Sequence, residues 1–510
     1  MAASQPPIFV GEDDVHNTEL RMNVSSVGGK GATATNASQG KYNLVVIGGG
    51  TAGLVTAGGA ATLGARVALV EKHLLGGDCL NTGCVPSKCL LRSARAFTDI
   101  KKAEQLGLQV TGDVRVDFPA IMARMRSIRA HISHHDSVQR MNDLGVDIYF
   151  GEASFADSNT IVVGDTNLAF QKAVIATGGR PAEPEIEGLR DVGYLTSDDV
   201  FNLAQCPSRF AVIGGGPIGC ELAQAFARFG SKVTLLHNKD RLLVKEDVDV
   251  ANVILAALVK DSINVVLDCS IARVSRVLDS ILIELKSGEQ VYVDQILVAT
   301  GRVPNIAHLG LDKVKVKTSK AGVVVNDHLQ TSNSRIYACG DVCMDSKFTH
   351  AAEKAARIVI ENALFYGRAK LSKVIIPWTT FTEPEVAHVG LGEEEAKKMD
   401  IEVDVYIKHF SEIDRAMADG DTNGFVKVLT KKGTDHIVGA CIVARHAGDM
   451  IPELSVAIVH NIGLGKLAQV VHSYPTYAEA IRQLGDGYNF KWFQSSFVQK
   501  VLKWWMSWGR

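Results

Sequence analysis

Cys79 and Cys84 lie in the stretch Gly76–Lys88, which reads GGDCLNTGCVPSK. A C-x4-C pair can ligate a metal, crosslink the chain, or cycle between dithiol and disulfide. The third chemistry needs one sulfur to be a thiolate at neutral pH. A helix N-terminus and a nearby cation lower a thiol pKa and supply that condition. Pro86 suits the first turn of a helix, and Lys88 lies one turn beyond Cys84 on the same face. Cys89 abuts the motif and reads as a small buried hydrophobe. Redox cycling is the chemistry that also accounts for the rest of the chain, because the pair follows a glycine-rich turn of the nucleotide-binding kind.

The elements that position the pair begin at Tyr42-Asn43-Leu44-Val45-Val46-Ile47, a short apolar run that reads as a buried parallel strand. It enters Gly48-Gly49-Gly50-Thr51-Ala52-Gly53, an Ala-rich helix follows to Gly64, and a second strand over 66–70 ends at Glu71. The pattern recurs. Phe210–Ile213 reads as a strand, Gly214-Gly215-Gly216-Pro217-Ile218-Gly219 as the turn, 221–229 as the helix and Lys232–Leu236 as the second strand. One GxGxxG is weak evidence, whereas two framed by strand, helix and strand predict two dinucleotide sites. Gly48 and Gly214 make the tight turns. Gly50 and Gly216 admit a pyrophosphate, and Gly53 and Gly219 let each helix pack on its strand. The pyrophosphate would rest on free N–H groups at the helix start.

The first turn leads to the cysteines and is expected to hold FAD; the second is expected to hold the nicotinamide cofactor. Glu71 stands where an acid binds a ribose hydroxyl. The same step counted from Gly214 reaches His237, followed by Asn238, Lys239, Asp240 and Arg241. A carboxylate there would repel a 2′-phosphate, whereas Lys239 and Arg241 could pair with it, so NADPH is favoured over NADH.

With these residues in order from about Tyr42 to about Leu484, the chain resembles the pyridine nucleotide–disulfide oxidoreductases: dihydrolipoamide dehydrogenase, glutathione reductase and mercuric reductase. The resemblance implies an active-site disulfide between Cys79 and Cys84. Cys84 would lie against the flavin as the charge-transfer thiolate, and Cys79 would face substrate. Lys88 would sit by the flavin and pair with Glu221. Ala176-Thr177-Gly178-Gly179 and Ala299-Thr300-Gly301-Arg302 resemble the family's paired ATG turns. Tyr337-Ala338-Cys339-Gly340-Asp341 resembles its second FAD motif, whose Asp holds the ribityl chain. Cys339 and Cys343 are spaced as some metal ligands are, but lack a second ligand pair, so no metal is expected. Thr380–Glu385 resembles the opening of the family's interface domain, which makes an obligate homodimer with shared active sites.

The chain departs from that pattern at His472-Ser473-Tyr474-Pro475-Thr476-Tyr477-Ala478-Glu479. Disulfide reductases carry a His before this Pro as general acid/base, oriented by a Glu. Glu479 is retained and Tyr474 takes the place of the His. A phenol is a poor base near neutrality. His472 is the nearest imidazole and the other candidate, with a packing role as the alternative. Tyr before Pro is similar to mercuric reductases and soluble transhydrogenases. The former also use a C-terminal Cys pair, yet no Cys follows Cys441; the latter lack the redox disulfide.

The expected fold is α/β: two Rossmann-like dinucleotide-binding domains, for FAD and NAD(P)H, plus an α+β C-terminal dimerisation domain. The expected boundaries are 1–40 for a flexible arm, 41–192 with 311–372 for FAD, 193–310 for NAD(P)H, 373–488 for the interface and 489–510 for a Trp-rich tail. In the tail Phe493, Phe497, Val501, Trp504 and Trp508 recur at helical spacing beside Lys500 and Lys503, which suits a membrane interface. With 510 residues and 46% hydrophobic composition the chain can bury several cores, and a net charge of −2 gives no case for nucleic acid. The nine Cys lack a framework spacing, and 1–40 lacks a secretory h-region, so a cytoplasmic or organelle-matrix location is expected. The expected activity is electron transfer from NADPH through FAD and the Cys pair to a small disulfide-like or soft-metal acceptor. The alternatives are mercuric reductase, flavin transhydrogenase or diaphorase, and a membrane-associated redox-sensing flavoprotein.

Overall fold

The computed structural model describes residues 40–493 and 496–508. The proposed arm, 1–39, lies outside them. The chain divides into two compact units: residues 40–214, 222–238 and 269–374 in one, and 215–221, 239–268 and 375–508 in the other.

In the first unit the run Leu44–Ile47 forms the predicted strand, Tyr42–Ile47, which is almost wholly buried. It lies parallel between Val67–Glu71 and Thr166–Ile175, with Val146–Phe150 outside the former and Ile336–Ala338 outside the latter. Strands buried on both faces need no alternation, which is why this sheet reads as continuous apolar runs. The helix Thr51–Thr62 fits against it because the helix is made of small residues. A Cβ at Gly59 would come within 2.8 Å of Ile360 on the helix Thr349–Leu364, so glycine sets how closely these two helices pack.

The same unit holds a second parallel set, with Arg209–Ile213 between Lys232–Leu236 and Gln295–Val298. An antiparallel sheet, Ile271–Val277, Ser280–Leu285 and Gln290–Val293, accompanies it. Phe210 packs on Phe226 with ring centroids 4.6 Å apart, and Phe118 reaches the same ring at 5.9 Å. The predicted helix starts earlier than the apolar pattern suggested, at Pro217, and runs to Arg228. Proline fits there because a helix's first N–H has no partner to lose.

The second unit is built on a five-stranded antiparallel sheet ordered Trp378–Thr380, Glu385–Gly390, Ile437–Ala444, Phe425–Lys431, Val403–His409. Its core joins Val426, Val428, Ile442, Leu454, Leu464 and Ile481. The helix Glu479–Phe493 runs through residue 488, and a separate helix covers Ser496–Trp508. Among the described residues no helix is long and apolar enough to cross a membrane.

Candidate functional site

The first glycine turn is fixed by sterics. Gly48 has φ +109°, and a Cβ there would fall 2.3 Å from Ala176 O. At Gly53 the same atom would meet Gly48 O at 1.7 Å. Gly50 caps the helix Thr51–Thr62 without a side-chain hydrogen bond, and no acid lies in the first turn. The opening N–H groups therefore face no capping side chain, as an anion-binding helix start requires. Glu71 closes the turn: its Oε2 accepts from Gly49 N at 2.6 Å and its Oε1 from His73 N at 2.8 Å. A carboxylate held by both oxygens keeps lone pairs directed outward for ribose hydroxyls. These residues fit an FAD adenosine diphosphate.

The cysteine segment is strapped to that turn. Gly76 N donates to Gly49 O at 2.9 Å, and a Cβ on Gly77 would come within 2.6 Å of Gly50 Cα. Both Gly76 and Gly77 have positive φ, 95° and 58°, which glycine adopts without penalty. A short helix, Gly77–Asn81, then carries Cys79, and the long helix Cys84–Lys101 begins at Cys84 itself. Arg129, almost fully buried, donates to Asn81 O at 3.0 Å and holds the loop between the two sulfurs. Burial, with Arg126 nearby, lowers its pKa to about 10.

The two thiols are hydrogen-bonded to each other. That bond first, and burial second, raise the Cys79 pKa far above the ordinary thiol value, with the Thr349 hydroxyl opposing. Cys84 is exposed at the helix start and lies 3.4 Å from Thr349 Oγ1. Cys84 thus sits where a helix N-terminus and a hydroxyl meet, the setting that suits a thiolate. Thr349 stands 265 residues from Cys84, and nothing local in the sequence marks it. Lys88 lies half-buried one turn along the helix.

The ATG turns are knitted together. Gly179–Pro181 pairs antiparallel with Arg302–Pro304, Thr177 Oγ1 donates to Asn305 O at 2.7 Å, and Asn305 Nδ2 returns a bond to Thr177 O at 3.0 Å. Gly178 and Gly301 both have positive φ, 64° and 132°. Arg302 leaves this ribbon to pair with Asp78, the residue before Cys79, and with Asp341 at 3.5 Å. Burial raises both carboxyls, with Arg302 opposing. Asp341 follows Gly340, where a Cβ would come within 3.2 Å of Ala52 on the first-turn helix. Asp341 is therefore held beside the first turn, although it lies far from it in sequence.

Gly214 repeats Gly48: φ is +122°, and a Cβ would fall 2.4 Å from Ala299 O. At Gly216 a Cβ would meet nothing within 4 Å among the described residues, which leave that space open. The helix carrying Gly219 has no acid in its first turn. These features fit a second dinucleotide. His237 is half-buried and Lys239 exposed. Arg241, expected to be open to a 2′-phosphate, is paired with Glu394 at 2.7 Å. Glu221 accepts from Phe381 N at 2.8 Å.

In the last segment His472 is committed elsewhere: Nε2 meets Glu453 Oε1 at 2.9 Å, Nδ1 meets Val470 O at 3.1 Å, and the side chain is 8% exposed. Tyr474, by contrast, is 69% exposed and donates to Asp414 Oδ2 at 2.8 Å. The bond to Asp414 is the main reason its phenol pKa is raised. Glu479 is held by Arg482 at 3.0 Å and Gln483 at 3.3 Å. Asp414 was not foreseen, because sixty residues separate it from Tyr474.

Residues 42–356 match the family described as pyridine nucleotide-disulphide oxidoreductase, and residues 376–484 match that family's dimerisation domain. A mercuric reductase of Staphylococcus aureus is 36% identical over 447 residues, covering 87% of this chain and 82% of the relative. A dihydrolipoyl dehydrogenase of Bacillus subtilis (strain 168) is 33% identical over 465 residues, covering 86% of this chain and 96% of that one. The HOCl-induced flavoprotein disulfide reductase RclA from Escherichia coli matches with a TM-score of 0.79 at 27% identity, over 87% of this chain and 99% of that chain. The chain therefore belongs to the pyridine nucleotide–disulfide oxidoreductase family, as an oxidoreductase that uses FAD and a pyridine nucleotide and carries the family's dimerisation domain.

Proposed function

We propose that this enzyme passes electrons from NADPH through FAD to the Cys79–Cys84 pair, and on to a small disulfide-like or soft-metal acceptor. The observation that carries the reading is the contact between the two thiols on a loop strapped to the first glycine turn. FAD, when bound, supplies the two-electron relay between the nicotinamide and sulfur. The work is divided as 41–192 with 311–372 for FAD, 193–310 for NAD(P)H and 373–488 for the interface.

The chain's own residues do the rest. Cys84 holds the negative charge. Cys79 passes its proton to the Cys84 thiolate and attacks one sulfur of an acceptor disulfide, and the departing thiolate leaves as a thiol with a proton from Tyr474. Cys84 then attacks Cys79, re-forms the Cys79–Cys84 bond and releases the second thiol. Two electrons leave with two protons. Tyr474, aligned by Asp414, supplies a proton to a leaving thiolate at the partner subunit's Cys79. Its exposure supports that role, and the engagement of His472 by Glu453 argues against the imidazole. Soft metal ions suit the same dithiol, and the similarity to mercuric reductases favours Hg(II) as a second acceptor.

An anaerobic NADPH titration tests the reading. A long-wavelength absorbance band should grow at two-electron reduction and vanish in Cys84→Ser. Cys79→Ser should abolish acceptor turnover. Full acceptor turnover in Cys79→Ser would point instead to a diaphorase. Tyr474→Phe should cut kcat by about tenfold to a hundredfold. In Asp414→Asn the phenol pKa falls, so the alkaline limb of the kcat profile should move to lower pH.

The tail supports a further part of the proposal, peripheral membrane contact. On the helix Ser496–Trp508 the exposed side chains of Val501, Trp504, Trp505 and Trp508 share one broad face, with Lys500 at its edge and Lys503 beyond it. Co-flotation with anionic liposomes should be lost on truncation after Tyr488; equal flotation would reject the contact.

A further inference from the structure

One row of the five-stranded sheet is polar where its neighbours are apolar. Trp378, His388, Cys441 and Lys427 are successive cross-strand partners on four adjacent strands. Partners in register point to one face of a sheet. Glu246 meets this row from the segment ahead of the helix Val248–Lys260. Glu246, His388 and Cys441 are 4%, 2% and 2% exposed, and one ligand atom from each lies within 4.8 Å of the others.

The hydrogen bonds sort these atoms into two roles. His388 Nε2 faces Gly390 O at 3.2 Å, an oxygen that can only accept, so Nε2 carries hydrogen. Glu246 Oε1 accepts from Trp378 Nε1 at 2.6 Å, and the Trp378 ring stacks on His388 at 4.2 Å and 9°. Each group is thereby anchored on its far side, and His388 Nδ1 and Glu246 Oε2 face each other at 2.9 Å beside Cys441. A backbone carbonyl on the distal nitrogen of a His is the usual support of a metal-binding imidazole.

Charge points the same way. Beside the row, Lys427 Nζ lies 2.8–2.9 Å from carboxylate oxygens of Asp247, Asp249 and Glu393. One cation among three carboxylates leaves two negative charges in excess, and Lys427 has none to spare for Glu246.

We propose that Glu246, His388 and Cys441 bind a divalent borderline metal ion of the zinc class. The ion displaces the proton shared by Nδ1 and Oε2 and the thiol proton of Cys441. Carboxylate and thiolate then balance its two charges inside the protein. N, O and S donors together suit Zn(II) over hard ions. The ion would be structural, tying the 246–249 segment to the sheet.

The experiment uses the full chain with Cys79→Ser and Cys84→Ser, which removes the redox pair as a competing soft site. Protein produced with Zn(II), gel-filtered and analysed by mass spectrometry should hold about one ion per chain. Replacement with Co(II) should give a near-ultraviolet thiolate-to-cobalt band. Adding Cys441→Ser should remove that band, whereas adding Cys343→Ser should leave it. Trp378→Phe keeps an aromatic ring but removes the donor to Glu246, and should weaken metal retention by about tenfold or more. If Cys441→Ser does not fold, the first two measurements still decide. Metal-free protein, no band, or a band surviving in folded Cys441→Ser would each overturn the site.

Discussion

The turns at Gly48–Gly53 and Gly214–Gly219 begin alike and end differently. At both, the first glycine is imposed by a left-handed φ and by a backbone carbonyl in the space a Cβ would need, Ala176 O in one and Ala299 O in the other. Both carbonyls belong to the alanine of an ATG turn. The strand that enters each turn and the ATG strand beside it are thus one steric device used twice. The far ends diverge. Glu71 ties its carboxylate back to Gly49 N, whereas the second turn leads to His237 and an exposed Lys239. The shared part is what a backbone needs in order to turn. The divergent part is what a ligand's ribose meets.

The comparison breaks most visibly at the first glycines. Gly48→Ala should yield protein without FAD absorbance. Gly214→Ala should retain FAD but lose reduction by NADPH. The backbone conformation alone costs about 1–3 kcal/mol in each, before the carbonyl overlap. If Gly214→Ala lost FAD as well, the two turns would not be separate sites.

Glu71→Ala comes next. It removes a charged acceptor from Gly49 N and from the expected ribose, worth about 1.5–3 kcal/mol. The FAD dissociation constant, measured by fluorescence on dilution, should rise by about tenfold to a hundredfold.

Gly216→Ala sharpens the contrast between fold and ligand. Among the described residues, a Cβ there meets nothing within 4 Å beyond its chain neighbours. Tm should therefore stay nearly unchanged while the KM for NADPH rises by about tenfold. A fall in Tm without a change in KM would reverse the assignment of that open space.

Lys239→Ala is the smallest step. Turnover with NADPH should fall by about threefold to tenfold while turnover with NADH holds, since one exposed lysine contributes about 1 kcal/mol to a phosphate. Equal loss with both cofactors would remove Lys239 from the 2′-phosphate. Arg241 is not the residue to test first, because Glu394 already holds it.

Much of this molecule was legible along the chain. Both turns, their strands, the cysteine pair and the helix behind Cys84 are local, and their spacing is dictated by 3.6-residue and buried-strand patterns. The helix start at Pro217 was missed, because the apolar pattern fades there while the backbone bonds continue. The partners of the site were less legible. Thr349 beside Cys84, Arg302 between Asp78 and Asp341, Arg129 under Asn81 and Asp414 beneath Tyr474 leave no local signature.

The sequence by itself determined where the chain must turn sharply and which two cysteines stand close together beside the first turn, because glycine sterics and spacing act within a few residues. Only the tertiary structure decided that Thr349 meets Cys84, which of Tyr474 and His472 stays exposed, and that Glu246, His388 and Cys441 converge. Those outcomes depend on burial and on hydrogen bonds between residues tens to hundreds of positions apart, and neither is written in any local pattern.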